Sequence, residues 1–254
     1  MTEVVREVRD ARRIFREIRA QGHSLGLVPT MGALHSGHLS LIERARAENA
    51  SVAVSIFVNP TQYDDPADLE SYPRTFEEDL AKCEAAGVNI MLWPDSHEIY
   101  PDDYRFRVTE SEFSERLEGA HRRGHFDGVM TVVLKLLNIV RPDRAYFGEK
   151  DWQQFVLVRD MAEAFFLDTE IVPCPLVREE DGLAMSSRNA NLTAEERRIA
   201  PRFHEILFGG GTTDEIRERL AEAEFDVDYV ERRNDRVLAA VRLGKVRLID
   251  NVRE

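Results

Sequence analysis

The run Leu25-Gly-Leu-Val-Pro-Thr-Met-Gly-Ala-Leu-His-Ser-Gly-His38 sets the fold class of this chain. Its first half, Leu25 to Met31, is short and apolar, as expected of a strand buried on both faces. Gly32 interrupts it, and a helical pattern follows from Gly37 to Glu48. Strand, glycine-containing turn and helix in quick succession open a βαβ unit. Parallel sheets built from such units place their sites at the carboxyl ends of the strands.

The same alternation extends on both sides. Val5, Val8, Ile14, Phe15 and Ile18 have helical spacing and predict an amphipathic helix at the start of the chain. Ser51 to Val58 and Asn89 to Trp93 predict further buried strands, separated by a helix from Thr75 to Ala86 that Gly87 stops. Then follow an apolar helix at Val129 to Val140, a strand at Arg144 to Phe147, a helix from Gln153 to Phe166 and a strand at Glu170 to Pro173. The expected fold is α/β, a parallel sheet with helices on both faces, over residues 1–176. From residue 177 to 254 the character changes to a small α+β domain. It has helices at Thr193 to Leu207, with Thr193 and Glu196 as a capping box, and at Thr213 to Glu224. Short strands are expected at Val227 to Glu231, Val237 to Val241 and Val246 to Ile249.

Composition narrows the function. Among 254 residues, 47 acidic against 34 basic side chains give a net charge of −13. So acidic a chain is poorly suited to phosphate backbones, and no nucleic-acid partner is expected. No apolar run approaches the about 18 residues of a membrane span, and the charged first twenty residues do not resemble a secretion signal. Cys83 and Cys174 lack metal-ligand spacing and suit a reduced, cytoplasmic compartment.

Four segments can carry chemistry. At His35-Ser-Gly-His38 two histidines three apart stand at a helix start, where N–H groups and the helix dipole favour an anion. Such histidines can donate to phosphate oxygens as charge develops. On burial statistics alone they would be surface histidines; the Pro-Thr-Met-Gly strand end favours a site. No GxxxxGK[ST] loop is present, which argues against a P-loop enzyme. Phe147-Gly-Glu-Lys-Asp-Trp-Gln-Gln154 places Lys150 at another strand end as a compact cation. Met185-Ser-Ser-Arg-Asn189 gathers two hydroxyls and a guanidinium suited to triphosphate oxygens, although an ordinary polar loop explains that composition as well. Phe57-Val-Asn-Pro-Thr-Gln62 offers Asn59 and Gln62. Neutral amides can orient a small hydroxy acid without clamping a carboxylate that must act as nucleophile. Turn chemistry alone explains Asn59, so Gln62 is the stronger candidate.

Taken with Tyr72-Pro-Arg-Thr75, these motifs in this order resemble the pantoate–β-alanine ligase family. The similarity runs from about Leu27 to Asn191 and resumes at Val227-Asp-Tyr-Val230 and Leu248-Ile-Asp-Asn251. The resemblance implies a Rossmann-like larger domain and ATP-dependent condensation of pantoate with β-alanine through a pantoyl-adenylate. AMP and pyrophosphate would be released, Mg²⁺ would accompany ATP, and the enzyme would be a homodimer. It implies an ATP site of Met31, Gly32, Ala33, Leu34, His35, Ser36, Gly37, His38, Gly148, Glu149, Lys150, Asp151, Val177, Met185, Ser186, Ser187 and Arg188. His38 would be the proton donor with His35 its partner, and Lys150, Ser186, Ser187 and Arg188 would contact phosphate. Gln62 and Gln154 would hold pantoate, with Asn59 beside them. Asp79 is a candidate for Mg²⁺. The chain looks trimmed at Gly209-Gly-Gly211 and between Glu231 and Val237, which bears on packing of the smaller domain. A nucleotidylyltransferase, which shares the His-x-Gly-His step but leaves the nucleotide on its product, is the alternative.

Overall fold

The computed structural model describes residues 1–254 and divides into two compact units. The first comprises Met1–Leu34, His38–Gly148 and Gln153–Cys174. The second comprises Pro175–Glu254 together with His35–Gly37 and Glu149–Trp152, two short segments that chain order alone assigns to the first domain.

The first unit is a sheet of six strands, all parallel: β1 (Glu3–Val5), β2 (Leu25–Thr30), β3 (Ser51–Ile56), β4 (Ile90–Leu92), β5 (Arg144–Gly148) and β6 (Glu170–Cys174). Their order is β1-β4-β3-β2-β5-β6. Every residue of β3 and all but Pro29 of β2 are buried, which is why neither shows the apolar–polar alternation of a half-exposed strand. Pro173, which cannot donate to a ladder, lies in the edge strand β6, where that defect is tolerated. Val5 departs from expectation. It belongs to β1, paired with Leu92, and the first helix, α1, runs Val8–Ala20. An edge strand of three residues leaves no alternation for its sequence to display.

The helices are α2 (Ser36–Glu48), α3 (Pro66–Ser71), α4 (Phe76–Ala85), α5 (Ser96–Ile99), α6 (Glu118–His121), α7 (His125–Val140) and α8 (Trp152–Ala164). Helix α7 begins a turn before the expected start and packs against α1. The core at α2, β3 and β4 includes Val28, Leu34, Ile42, Val54 and Met91. Burial of each such side chain is worth about 1.5–3 kcal/mol. Tyr146 lies among them, fully buried, donating to Glu48 and accepting from Asn49.

In the second unit α9 (Ala194–Ile199) and α10 (Arg202–Phe208) replace the single helix expected from Thr193 to Leu207. Pro201 has no N–H to continue the helical ladder and parts them. The Thr193–Glu196 capping box is present. After α11 (Thr213–Glu222), strands β7 (Asp226–Arg233), β8 (Arg236–Leu243) and β9 (Val246–Arg253) form an antiparallel sheet. Phe203, Leu207, Ile216 and Leu220 pack with Val237, Ala239, Val241 and Leu248 into a core of its own. The stretch between Glu231 and Val237 is a tight β7–β8 hairpin, and the glycines at 209–211 form the α10–α11 turn.

Candidate active site

In the order β1-β4-β3-β2-β5-β6, successive strands after β2 run to one side, while β5 and β6 lie on the other. β2 and β5 are therefore the neighbours at the topological switch point, where open α/β sheets bind ligands. The chain leaves β2 at Met31 and β5 at Gly148, each the start of a segment predicted to carry chemistry.

The turn after β2 is held from below. Gly32 and Ala33 take left-handed backbone angles (φ 84° and 49°). The buried Asp79 carboxylate accepts from the N–H groups of Ala33 (2.9 Å) and Leu34 (2.7 Å) and from the Thr75 hydroxyl (3.1 Å). One helical turn on, Lys82 Nζ donates to the Leu34 carbonyl at 2.7 Å. The Leu34 side chain sits in the apolar core. The turn's N–H groups at 33 and 34 thus face an internal anion, and Asp79, with both oxygens engaged in this clamp, anchors the turn.

Beyond β3, Asn59 caps the short turn Pro60–Gln62. Its Oδ1 accepts from the Thr61 N–H, the Thr61 hydroxyl (2.9 Å) and the Tyr100 hydroxyl (2.8 Å). Its Nδ2 donates to Gln62 Oε1 (2.9 Å) and to the Gly128 carbonyl (3.2 Å). Only 1% exposed and saturated in this way, Asn59 supports the site instead of touching a ligand. With Oε1 held, the Gln62 amide turns its Nε2 toward Met31 Sδ, 3.3 Å away, and so presents a donor. The expected segments around Met31 and Gln62 are therefore brought together. Gly128 is required here: a Cβ would lie 2.5 Å from the Thr61 carbonyl oxygen and 2.7 Å from Gln62 Cα.

His125, which sequence reasoning passed over, grips the same turn. Its Nδ1 lies 2.8 Å from the Gln62 carbonyl oxygen and its Nε2 3.2 Å from Arg122 Nη1. Two fixed partners of opposite kind select the neutral ring protonated on Nδ1. A histidine just after Gly124, opening an otherwise apolar helix, was the available signal. The glutamine pair divides its work. Gln153 is buried, accepts from the Glu118 N–H and donates to the carbonyls of Phe113 and Arg116, pinning that loop. Gln154 is half-buried.

The remaining segments belong to the second unit. His35 Nδ1 accepts the Gly37 N–H at 3.1 Å, so a neutral His35 ring carries its proton on Nε2. A Cβ on Gly37 would lie 2.9 Å from that ring, which is why glycine stands between the histidines. Ser36 donates to Met185 Sδ at 3.2 Å, joining the His35 segment to the Met185–Arg188 segment. Val177 accepts the Met185 N–H, and Ser186 accepts the Arg188 N–H while keeping its own proton to donate. Ser187 and Arg188 are half-buried. Glu149, expected beside ATP, has its carboxylate bound by Arg236 (2.5 Å) and Arg253 (3.0 Å). Lys150 Nζ stands 3.8 Å from the exposed Asp151. His38 is half-buried in the first turn of α2, which contains no acidic residue to offset the helix dipole.

In the second unit Lys150, Ser186, Ser187 and Arg188 are donors and cations suited to a phosphorylated ligand; in the first, Gln62 presents a neutral amide donor. No group of three or more His, Cys, Asp or Glu side chains is placed to hold a metal ion.

The sequence model of the family described as pantoate-beta-alanine ligase matches residues 3–253. A pantothenate synthetase of Bdellovibrio bacteriovorus is 54% identical over 234 residues, 92% of this chain and 93% of that protein. One of Coxiella burnetii is 48% identical over 252 residues, 99% of this chain and 97% of that protein, so the chain is not short beside these relatives. A crystal structure of the pantoate-beta-alanine ligase of Francisella tularensis, complexed with beta-gamma ATP and beta-alanine, superposes with a TM-score of 0.94 at 39% identity. It covers 100% of this chain and 98% of its own. The pantothenate synthetase of Thermus thermophilus gives 0.90 at 40% identity, covering 99% of each chain.

Proposed function

Because the chain belongs to the pantoate–β-alanine ligase family, we propose that it condenses pantoate with β-alanine in two half-reactions that share one adenylate. The pantoate carboxylate attacks the α-phosphorus of ATP, the bond to the β-phosphate oxygen breaks, and pyrophosphate leaves. The β-alanine amine then attacks the acyl carbon, loses a proton, and expels AMP to give pantothenate. ATP and beta-alanine are the ligands named for the Francisella relative, which supports them as substrates here.

The observation that carries this reading is the departure of the Met31 and Gly148 segments from neighbouring strands β2 and β5 at the switch point. His38, in the first turn of α2, and His35 donate to phosphate oxygen as charge develops. Lys150, Ser186, Ser187 and Arg188 neutralise and hold the triphosphate, with Met31 to Gly37, Gly148 to Asp151, Val177 and Met185 lining the nucleotide. Gln62 and Gln154 orient pantoate through neutral hydrogen bonds that leave its carboxylate nucleophilic. Mg²⁺ would supply charge neutralisation on the leaving pyrophosphate. With no acidic cluster and with Asp79 engaged, its ligands would be phosphate oxygens and water, the usual pattern for this ion. The buried thiols Cys83 and Cys174 support a cytoplasmic setting, and the family resemblance alone supports a homodimer.

Exchange of labelled pyrophosphate into ATP tests the reading. It should require pantoate and Mg²⁺ but not β-alanine, and His38→Ala should lower it by about two to three orders of magnitude. No pantoate-dependent exchange in a protein that binds ATP would sink the proposal. Nucleotide retained on the final product, instead of released AMP, would establish the nucleotidylyltransferase alternative.

A further inference from the structure

We infer that Asp250 and Asn251, adjacent residues of β9, position Lys150 and the Met185–Arg188 loop for ATP. This rests on the ligase reading above.

Both residues are almost fully buried, at 3% and 4% exposure, on a strand that an antiparallel β-sheet would be content to fill with apolar side chains. Each holds a different segment. Asn251 Nδ2 donates to the Glu149 carbonyl (2.8 Å) and to the Lys150 carbonyl (3.1 Å). Its Oδ1 accepts from Arg236 Nη1 at 2.6 Å, which fixes the amide so that the NH₂ faces the 149–150 backbone. Arg236, only 4% exposed, also grips the Glu149 carboxylate. Side chains from β8 and β9 thus fix the backbone on either side of the Glu149–Lys150 peptide. That backbone sets where the lysine stem starts.

Asp250 faces another segment. Its carboxylate takes a two-pronged pair from Arg178, Nη1 to Oδ2 at 2.7 Å and Nη2 to Oδ1 at 2.9 Å. Arg178 further donates to the carbonyls of Gly182 (3.0 Å) and Asn251 (3.2 Å). It pairs with Ala184 across the hairpin whose far strand continues into Met185. The Asp250 Oδ1 also accepts the Asn251 N–H, which locks the two side chains into one orientation. A shift of β9 by a fraction of an ångström would move both phosphate-contacting segments together. This is a positioning device, since both side chains are engaged by Arg178 and by the 149–150 backbone.

The test measures ATP and pantoate affinities by calorimetry for wild type, Asn251→Asp, Lys150→Ala and the double variant. Asn251→Asp keeps shape but sets an oxygen against two carbonyl oxygens, and should weaken ATP roughly tenfold while pantoate affinity stays unchanged. In the Lys150→Ala background the same change should cost nothing more, because its effect passes through the lysine. Asp250→Asn should show the same non-additivity with Arg188→Ala. Should Asn251→Asp fail to fold, Arg236→Lys tests the same arm, since a lysine keeps the charge but loses the forked contact to Asn251 and Glu149. Losses that multiply in the double variants, or ATP and pantoate weakened alike, would reduce the pair to fold support and overturn the inference. Unchanged ATP affinity in folded Asn251→Asp would overturn it alone. A wild type that binds no ATP would overturn the ligase reading with it.

Discussion

Asn59 Nδ2 donates to Gln62 Oε1 at 2.9 Å, and this bond decides which end of the Gln62 amide is presented toward Met31. Asn59→Asp places an oxygen where the donor stood. Gln62 must then rotate its amide to donate inward and show Oε1 outward, an acceptor where pantoate oxygens need a donor. The variant should raise the pantoate KM about tenfold or more with the ATP KM little changed. It should also lose about 1–3 kcal/mol of stability from the buried acceptors left facing one another. Steady-state kinetics in each substrate checks it, and an unaltered pantoate KM would remove Asn59 from this role.

Gly37→Ala separates backbone effects from side-chain chemistry. The added Cβ would stand 2.9 Å from the His35 ring, so the ring must swing away from its bond to the Gly37 N–H. Pyrophosphate exchange should drop by at least about tenfold while the helix, which alanine favours, is retained. Wild-type exchange from this variant would show that the His35 orientation is immaterial.

Gln153 and Gln154 are neighbours with opposite expected phenotypes. Gln153→Ala leaves the Glu118 N–H and the carbonyls of Phe113 and Arg116 without their partner and should cost about 1–3 kcal/mol in denaturant unfolding. Gln154→Ala should leave stability within about 0.5 kcal/mol and instead weaken pantoate use. The reverse pattern would exchange the two assignments.

Asp79→Ala removes the anion that the Ala33 and Leu34 N–H groups converge upon. Loss of about 1–3 kcal/mol and a looser turn at residues 32–34 are expected, with faster amide exchange at those two positions. Protection equal to wild type at Ala33 and Leu34 would dismiss the clamp.

Alkaline pH should destabilise the first unit in a defined window. Burial, joined at Tyr146 by the bond to Glu48, pushes the phenols of Tyr100 and Tyr146 up to about 12. A raised folded-state value means their contribution is fully present below the ordinary phenol value near 10 and is lost as pH climbs from about 10 to about 12. The thermal midpoint should fall across that interval, and less steeply in Tyr100→Phe, which has no phenol to ionise. Equal slopes would mean that Tyr100 is as readily ionised folded as unfolded.

Much of this molecule was legible in its sequence. The short, largely apolar runs at Leu25 to Thr30 and Ser51 to Ile56, bounded by turn residues and rich in Val, Leu and Ile, marked strands covered on both faces. Thr193 with Glu196 marked a helix start, whereas the break that Pro201 makes after α9 emerged only in the structure. The chemistry-bearing segments were legible because residue type at a strand end limits what a loop can do.

Partnership was not legible, because periodicity records how deeply a residue is buried and never against what. Val5 reads as helical until its pairing with Leu92, far along the chain, supplies a ladder. Asn59 reads as a ligand until five hydrogen bonds from residues 61, 62, 100 and 128 saturate it. Asp79 reads as a free carboxylate until the N–H groups of Ala33 and Leu34 bind it, and Glu149 until Arg236 and Arg253 share its Oε1. The linear order of residues determined that this chain builds a parallel sheet with donor-rich loops at its strand ends. Which of those polar groups remain available to a ligand was decided by the tertiary structure, since a hydrogen bond is satisfied by proximity in space and sequence distance places no limit on its partner.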